Sequence, residues 1–595
     1  MRKALRALPL VAVAALVVTA VAGAFNPDTR VTVGNIGSPF TQNKQNEPAV
    51  AINPAAPNIV AAGVNDEIDL EACNNRDDKT CPFTFGVGTS GIYFSNDNGT
   101  SWHQPTYTGF SARNCLGLVG TSAAPADNCD PSTGPIGTLP RYDEVGLISD
   151  GDPAVGFGPL PGPNGFSWSN GWRLYYANIT SSLAASPLKG FEGVGVSRLD
   201  SSSYAAAQAG VNTAWHAPVI AAKQNAALFS DHEMLAVDDA SSSPLFGNVY
   251  VCNAAFRGTA EFIGRGNAAP EPIVVSFSSD GGDTWGHTQL SQSVNNDQIG
   301  GRQDCAVNTD SHGHVYVFWD GVDPKTKTLA IFMTVSSDGG KHFTRPATVV
   351  THIEQSGIVD AIGDLTFDGQ AGARDGSFPT VDIANGAPTG AGATNQIVLG
   401  WTEGPTPTSA SQPNEEVHVL TSTNGGSTWN GPVVASPPGD RPDFPAIAIS
   451  PDGTDVYLTY MAFLQPWQST TATPRMFQGV VRHADINAAG AIGAWSELNR
   501  SPAGDARGSS ANALIDEFLG DYDFVAATND YAIATWNDAR NASDCPAIDA
   551  YRQDVVNGTA AGIASDPTRP APQQACAPTF GNTDIFSGSY PDPTP

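Results

Sequence analysis

Positive charge is what this chain has least of. Its 595 residues include 29 Lys and Arg against 59 Asp and Glu, a formal net charge of -30. That balance excludes nucleic acid and anionic lipid as partners held by bulk electrostatics. It supplies many carboxylates for calcium without fixing a site. Uninterrupted helical patterns are also missing. The 62 Gly and 45 Pro cut helices and punctuate strands and turns. There is no G-x-S-x-G elbow, no H-E-x-x-H pair and no phosphate loop, and the ten histidines are scattered. No cofactor is expected. The cysteine spacings do not resemble a zinc site.

Apolar runs are short, and the longest stands at the start. Met1-Arg2-Lys3 precedes an apolar stretch from about Leu8 to Val21, and Ala22-Gly23-Ala24 follows. This is the layout of a signal peptide over residues 1–24, cleaved after Ala24. The alternative is an uncleaved anchor, for which the run is short, since a full span takes about 20 apolar residues. No second span follows, so the mature form is expected to be secreted, without a membrane span and monomeric. Eight cysteines fit an oxidising compartment. Local spacing suggests Cys73–Cys81, Cys115–Cys129 and Cys545–Cys576, which leaves Cys252 and Cys305 to pair between neighbouring repeats. Connectivity stays open, because many pairings are possible.

One pattern recurs four times. It reads Ser95-Asn96-Asp97-Asn98-Gly99-Thr100-Ser101-Trp102, then Ser278 to Trp285, Ser336 to Phe343 and Ser422 to Trp429, the last with Asn424 in the Asp position. The carboxylate can accept hydrogen bonds from nearby backbone N–H groups, the glycine permits positive φ, and the aromatic ring buries a large apolar area. An alternating strand precedes each copy, such as Ile273–Phe277 or Ile331–Val335. Further strands open on Pro or a polar residue, as at Glu47-Pro48-Ala49, Asp152-Pro153-Ala154 and Phe444-Pro445-Ala446. Seven units begin near Pro48, Pro153, His232, Gln303, Phe378, Pro445 and Leu519. Units two and six lack the pattern, with Trp215 and Trp495 where its ring would go.

The pattern matches the Asp box, S-x-D-x-G-x-x-W, and the chain resembles the sialidase-like (BNR/Asp-box repeat) β-propellers. The resemblance implies an all-β fold: a single propeller of four-stranded blades over residues 25–595, with a loop insertion at about 103–150. Seven blades are expected from the unit count, with six as the alternative. Either Arg30–Val33 or the segment around Asp584-Ile585-Phe586 is expected to complete the last blade.

The resemblance also implies a function, exo-hydrolysis of terminal sialic acids on a glycan or glycoprotein. Three arginines would clamp the sugar carboxylate, a Tyr assisted by Glu would be the nucleophile, and an Asp would be the acid/base. Carried over residue by residue, Tyr522 is the candidate nucleophile, Glu517 its base and Asp66 the acid/base. Arg302 and Arg441, at the starts of inner strands, are candidate substrate ligands. The F/Y-R-I-P motif that supplies the first arginine in this family is absent. Two other readings follow from that absence: a non-catalytic propeller that binds glycans or proteins, and a hydrolase that uses two axial carboxylates on a neutral glycan. Asp150-Gly151-Asp152 and Asp231-His232-Glu233 are oxygen-rich and could bind calcium or cap turns, though neither fits an EF-hand loop.

Overall fold

The computed structural model describes residues 25–72, 81, 83–115, 131–183, 192–222, 228–257, 272–292, 302–404, 415–465, 468–560, 566 and 568–594. The expected signal peptide lies outside them, as do Cys73 and Cys129 of two expected disulfides. Seven antiparallel sheets follow one another along the chain. Blade 1 is Gln45–Ile52, Val60–Asp66 and Ser90–Ser95, with a bridge from Phe94 to His103 in fourth place. The inner strands of blades 2 to 6 are Leu147–Gly162, Leu228–Val237, Arg302–Thr309, Thr380–Ile383 and Arg441–Ile449. Each of these five sheets has at least four strands in sequence order from inside to outside.

Both segments expected to close the ring do so. Blade 7 runs from Phe524–Ala527 through Tyr531–Asp538 to Asp584–Pro591, and Thr29–Arg30 pairs outside the last of these. The Val31 N–H donates to the Ile585 carbonyl at 2.8 Å. The first and last parts of the described chain are thus one sheet, which closes the ring of blades. The blade begins at Phe524 rather than at Leu519, because the intervening residues turn toward the ring axis.

The core is divided among the seams. Seven hydrophobic clusters are each drawn from two neighbouring blades, from blades 1 and 2 through to blades 7 and 1. No blade could bury its faces alone, which is the logic of repeat architectures. The recurrent turn contributes to four of these seams. In all four copies the Ser hydroxyl accepts the Gly N–H, at 2.9–3.0 Å. The Asp97, Asp280, Asp338 and Asn424 side chains accept the N–H four residues on, at 2.9–3.0 Å. Gly282 sits at φ 86°, where a side chain would be strained and would press on Arg198. The aromatic residue packs on the preceding blade: the Trp102 indole donates to Ser587 at 2.8 Å, and Trp429 meets Phe318 edge-on.

Cys252 of blade 3 is bonded to Cys305 of blade 4, the staple between blades that the sequence left open. Cys545–Cys576 ties down two short helices, Pro546–Val556 and Pro572–Ala575, inserted in blade 7. The insertion after blade 1 is not only loop, since Tyr107–Ser111 and Ser132–Ile136 form a hairpin. Among the described residues no helix is long and apolar enough to cross a membrane.

Candidate functional site

The inner strands share an irregularity. Their register breaks between Asn46 and Ala49, Gly151 and Ala154, Asp231 and Met234, Gln303 and Ala306, and Asp443 and Ala446. Inside each break one non-glycine residue has left-handed backbone: Glu47 at φ 54°, Asp152 at 51°, His232 at 50°, Asp304 at 54° and Phe444 at 47°. Such a conformation costs about 1–3 kcal/mol per residue and persists only where the surroundings impose it. A bulge re-aims a side chain, and here it turns five of them to the axis. Phe378 and Tyr522 hold the matching places in blades 5 and 7, just before the paired residues Thr380 and Phe524.

These side chains meet across the ring. The His232 ring lies 5.0 Å from Tyr522 and 5.9 Å from Phe378, both edge-on, and Phe378 stacks on Phe444 at 5.5 Å. Together they cap a central channel of about 470 Å³ that runs along the inner strands to Asp239, Asn385, Asn529 and Asp530. Glu47, Asp152 and Glu233 are not among the residues lining that channel. They belong to the strand-start end, the end away from the four recurrent turns.

Carboxylates crowd this end. Asp152 stands close enough to Glu47 to disfavour its charged form. Burial, then Asp152 and Asp521, pushes the Glu47 pKa well above the usual carboxylate range. Burial, then Asp152, does the same to Glu233 and Asp231. Glu233 is 1% exposed, and neither of its oxygens has a hydrogen-bond partner. Glu192, pushed up to about 8, and Asp150, pushed up to about 7, extend the cluster into blade 2, burial being the main cause for both. The Tyr522 hydroxyl also lacks a partner, and burial together with Asp152, Glu47 and Glu233 raises it well above an ordinary phenol.

Counter-charge is thin. Burial works against a charged His232 imidazole, but Asp304, 2.8 Å from its Nδ1, outweighs that and lifts it to about 9. Arg374 acts on Glu47 from the rim and is already paired with Asp521 at 2.8 Å. The backbone N–H of Asp521 donates to Glu47 at 3.0 Å, and Asn65 also reaches Glu47.

The residues singled out from the sequence are dispersed. Tyr522 stands at the axis. The Glu517 carboxylate is engaged by Arg475 at 2.9 Å and by the Ala373 N–H at 3.2 Å, in a buried network with Asp368. Asp66 is fully buried and accepts from Tyr93, Gln104, Gln45 and the Ile68 N–H, capping a 3-10 turn. Arg441 forks onto Glu415 at 3.1 and 3.2 Å and lies over the Phe367 ring. The Arg302 backbone opens the inner strand of blade 4, and its side chain lies outside the described residues. The structure thus brings Tyr522 together with the Asp150-Gly151-Asp152 and Asp231-His232-Glu233 segments. Glu47 and Asp304 had no signal as single residues; the repeated polar residue ahead of each inner strand was the available one.

No family model and no curated protein matches the chain. Among solved structures, the sialidase of Trypanosoma rangeli is similar at 10% identity and a TM-score of 0.37, over 74% of this chain and 54% of that one. A Hadza microbial sialidase gives 11% and 0.36, over 70% of this chain and 63% of that one. The α-L-arabinofuranosidase of Fusarium graminearum, solved with arabinobiose, gives 12% and 0.35, over 76% and 96%. The chain therefore spans less than two thirds of both sialidases. At these identities and TM-scores the likenesses carry no activity across. The chain is a seven-bladed β-propeller. Its own sheets and seams establish that, and the propeller implied by the Asp-box resemblance is the fold it adopts.

Proposed function

We propose that the propeller is an exported glycoside hydrolase whose catalytic centre is the axial carboxylate cluster, acting on neutral sugars of a glycan. The observation that carries the reading is the buried acidic cluster at the axis, in which burial and the neighbouring Asp152 push the Glu47 pKa well above the carboxylate range, beside the unpartnered Glu233 and Tyr522. Glycoside hydrolysis needs one carboxyl to protonate the departing oxygen and one carboxylate to stabilise the sugar cation or activate water. Pairs of acids driven apart in pKa by their surroundings provide those roles. Glu47 and Glu233, both raised by burial and by Asp152, are assigned as proton donors, Asp152 as the base or nucleophile, and Tyr522 as a hydroxyl that contacts the sugar. Disulfides at Cys252–Cys305 and Cys545–Cys576 support an oxidising, extracellular setting.

The sialidase reading, with Tyr522 as nucleophile, keeps the support of its free hydroxyl beside Glu233. Against it stands the lining of the pocket: the carboxylate of an anionic sugar would meet the acids Glu47, Asp152, Asp231 and Glu233, with Arg374 already committed to Asp521. Assay of the full chain on chromogenic neutral glycosides, arabinofuranosides included, and on a sialoside separates the two. The expected result is turnover of a neutral glycoside, reduced about 10²–10⁴-fold in Asp152→Asn and Glu233→Gln. Turnover of the sialoside alone, dependent on Tyr522, would transfer the case to the sialidase reading. Saturable glycan binding with no product, fold intact, would make the propeller a binding protein.

A further inference from the structure

A second polar cluster lies at the other end of the strands, on the seam between blades 6 and 7. Asp455 opens the second strand of blade 6 and pairs with Asp485, while Tyr457 pairs with His483 on the adjacent strand. Asp592 comes from blade 7, in the segment after the strand Asp584–Pro591, where its N–H donates to the Asp530 carbonyl at 2.8 Å. Donor atoms of Asp455, His483 and Asp592 lie within 4.8 Å of one another. His483 Nε2 is 2.8 Å from Asp455 Oδ1 and 3.9 Å from Asp485 Oδ1.

The charges do not balance. A carboxylate oxygen of Asp455 lies within 4.8 Å of one of Asp592, and Asp452 and Asp485 stand close by around the same tyrosine. Among the described ion pairs the only counter-charge to these four acids is the one imidazole. The independent sign of a missing ligand is Tyr457. It is fully buried, its ring is 5.0 Å from His483, its nearest charges are Asp455, Asp592, Asp452 and Asp485, and its hydroxyl has no hydrogen-bond partner. A buried hydroxyl without a partner destabilises the fold unless a ligand supplies one.

We propose that Asp455, His483 and Asp592 bind a divalent transition-metal ion of the zinc type, clasping the Asp592–Thr594 segment of blade 7 to blade 6. Imidazole with carboxylates is the donor set of zinc, whereas calcium takes oxygen alone. Three protein donors leave one position for Asp485 or water. Thr594 prepares the segment, since its N–H donates to Asp592 at 2.8 Å and its hydroxyl to Asp485 at 2.7 Å.

The test uses tag-free full chain, stripped with chelator and titrated with zinc chloride by calorimetry, with calcium chloride as control. Expected is one saturable zinc site, weakened at least about 10-fold in Asp592→Asn. Asp592 is only half-buried, so that variant keeps the fold, and circular dichroism confirms it. His483→Gln should weaken the site as well. No saturable zinc binding, or binding that Asp592→Asn leaves intact, overturns the proposal.

Discussion

Replacing Glu192 by Gln should stabilise the propeller, and by an amount that grows with pH. Glu192 opens the third strand of blade 2, opposite Ser181. Burial, then Asp150, Asp231 and Asp152, raises its pKa from 4.5 to about 8. The folded chain therefore holds a proton that the unfolded chain releases. For an acid raised on folding, the stability is fully present below the unfolded pKa and is lost as pH climbs toward the folded one. Each tenfold in proton affinity is about 1.4 kcal/mol. A carboxyl held near 8 instead of 4.5 thus costs the fold up to about 5 kcal/mol once pH passes 8. Glutamine has the same shape and no proton to give up. Urea unfolding of both proteins at about pH 4, 6 and 8.5 measures the difference. It should be near zero at the lowest pH and reach a few kcal/mol at the highest. An offset that is constant with pH, or a gain confined to low pH, would refute the assignment of Glu192 to a crowded acidic pocket.

His232 gives a second pH signature. Its folded pKa of about 9 lies above the unfolded 6.5, so the ion pair with Asp304 stabilises fully below about pH 6.5 and fades as pH rises through about 9. His232→Asn, a residue that tolerates φ 50°, should lose most stability near pH 6 and little above pH 9, read from urea midpoints. Removing the Cys252–Cys305 bond, whose partners are 53 residues apart, should cost about 4 kcal/mol by loop entropy; an unchanged midpoint would show that the seam between blades 3 and 4 needs no staple. Asp280→Ala deletes the bonds from the Thr284 N–H at 3.0 Å and hydroxyl at 2.5 Å. It should cost about 1–2 kcal/mol and leave glycosidase turnover unchanged, because the turn is at the end away from the axial acids. A turnover defect without a stability defect would contradict a purely structural turn.

The repeated turn was legible because its chemistry is local. Ser278, Asp280, Gly282 and Trp285 lie within eight residues, and the hydrogen bonds they make close inside the turn. Copying the turn four times identified a ring before any contact was known, and the strand runs between the copies favoured seven blades over six. Polar residues ahead of the inner strands, such as Asp152 and the Asp231-His232-Glu233 run, were visible as oxygen-rich starts. Their joint meaning was not. Tyr522 and His232 stand 290 residues apart by numbering yet have ring centres 5.0 Å apart, because closing the ring brings the third and seventh blades to one axis. Asp66 read from the chain as a candidate acid/base and Glu517 as a candidate base for Tyr522, and only packing shows each held by its own donors.

The sequence by itself determined the repeated unit, since turn and strand depend on neighbours a few residues away. Which acids crowd one another, which arginines are already paired, and which tyrosines lack a partner were decided by tertiary structure. Those properties belong to pairs drawn from different blades, and only the closed ring, with its dry, low-dielectric interior, brings them within reach of one another.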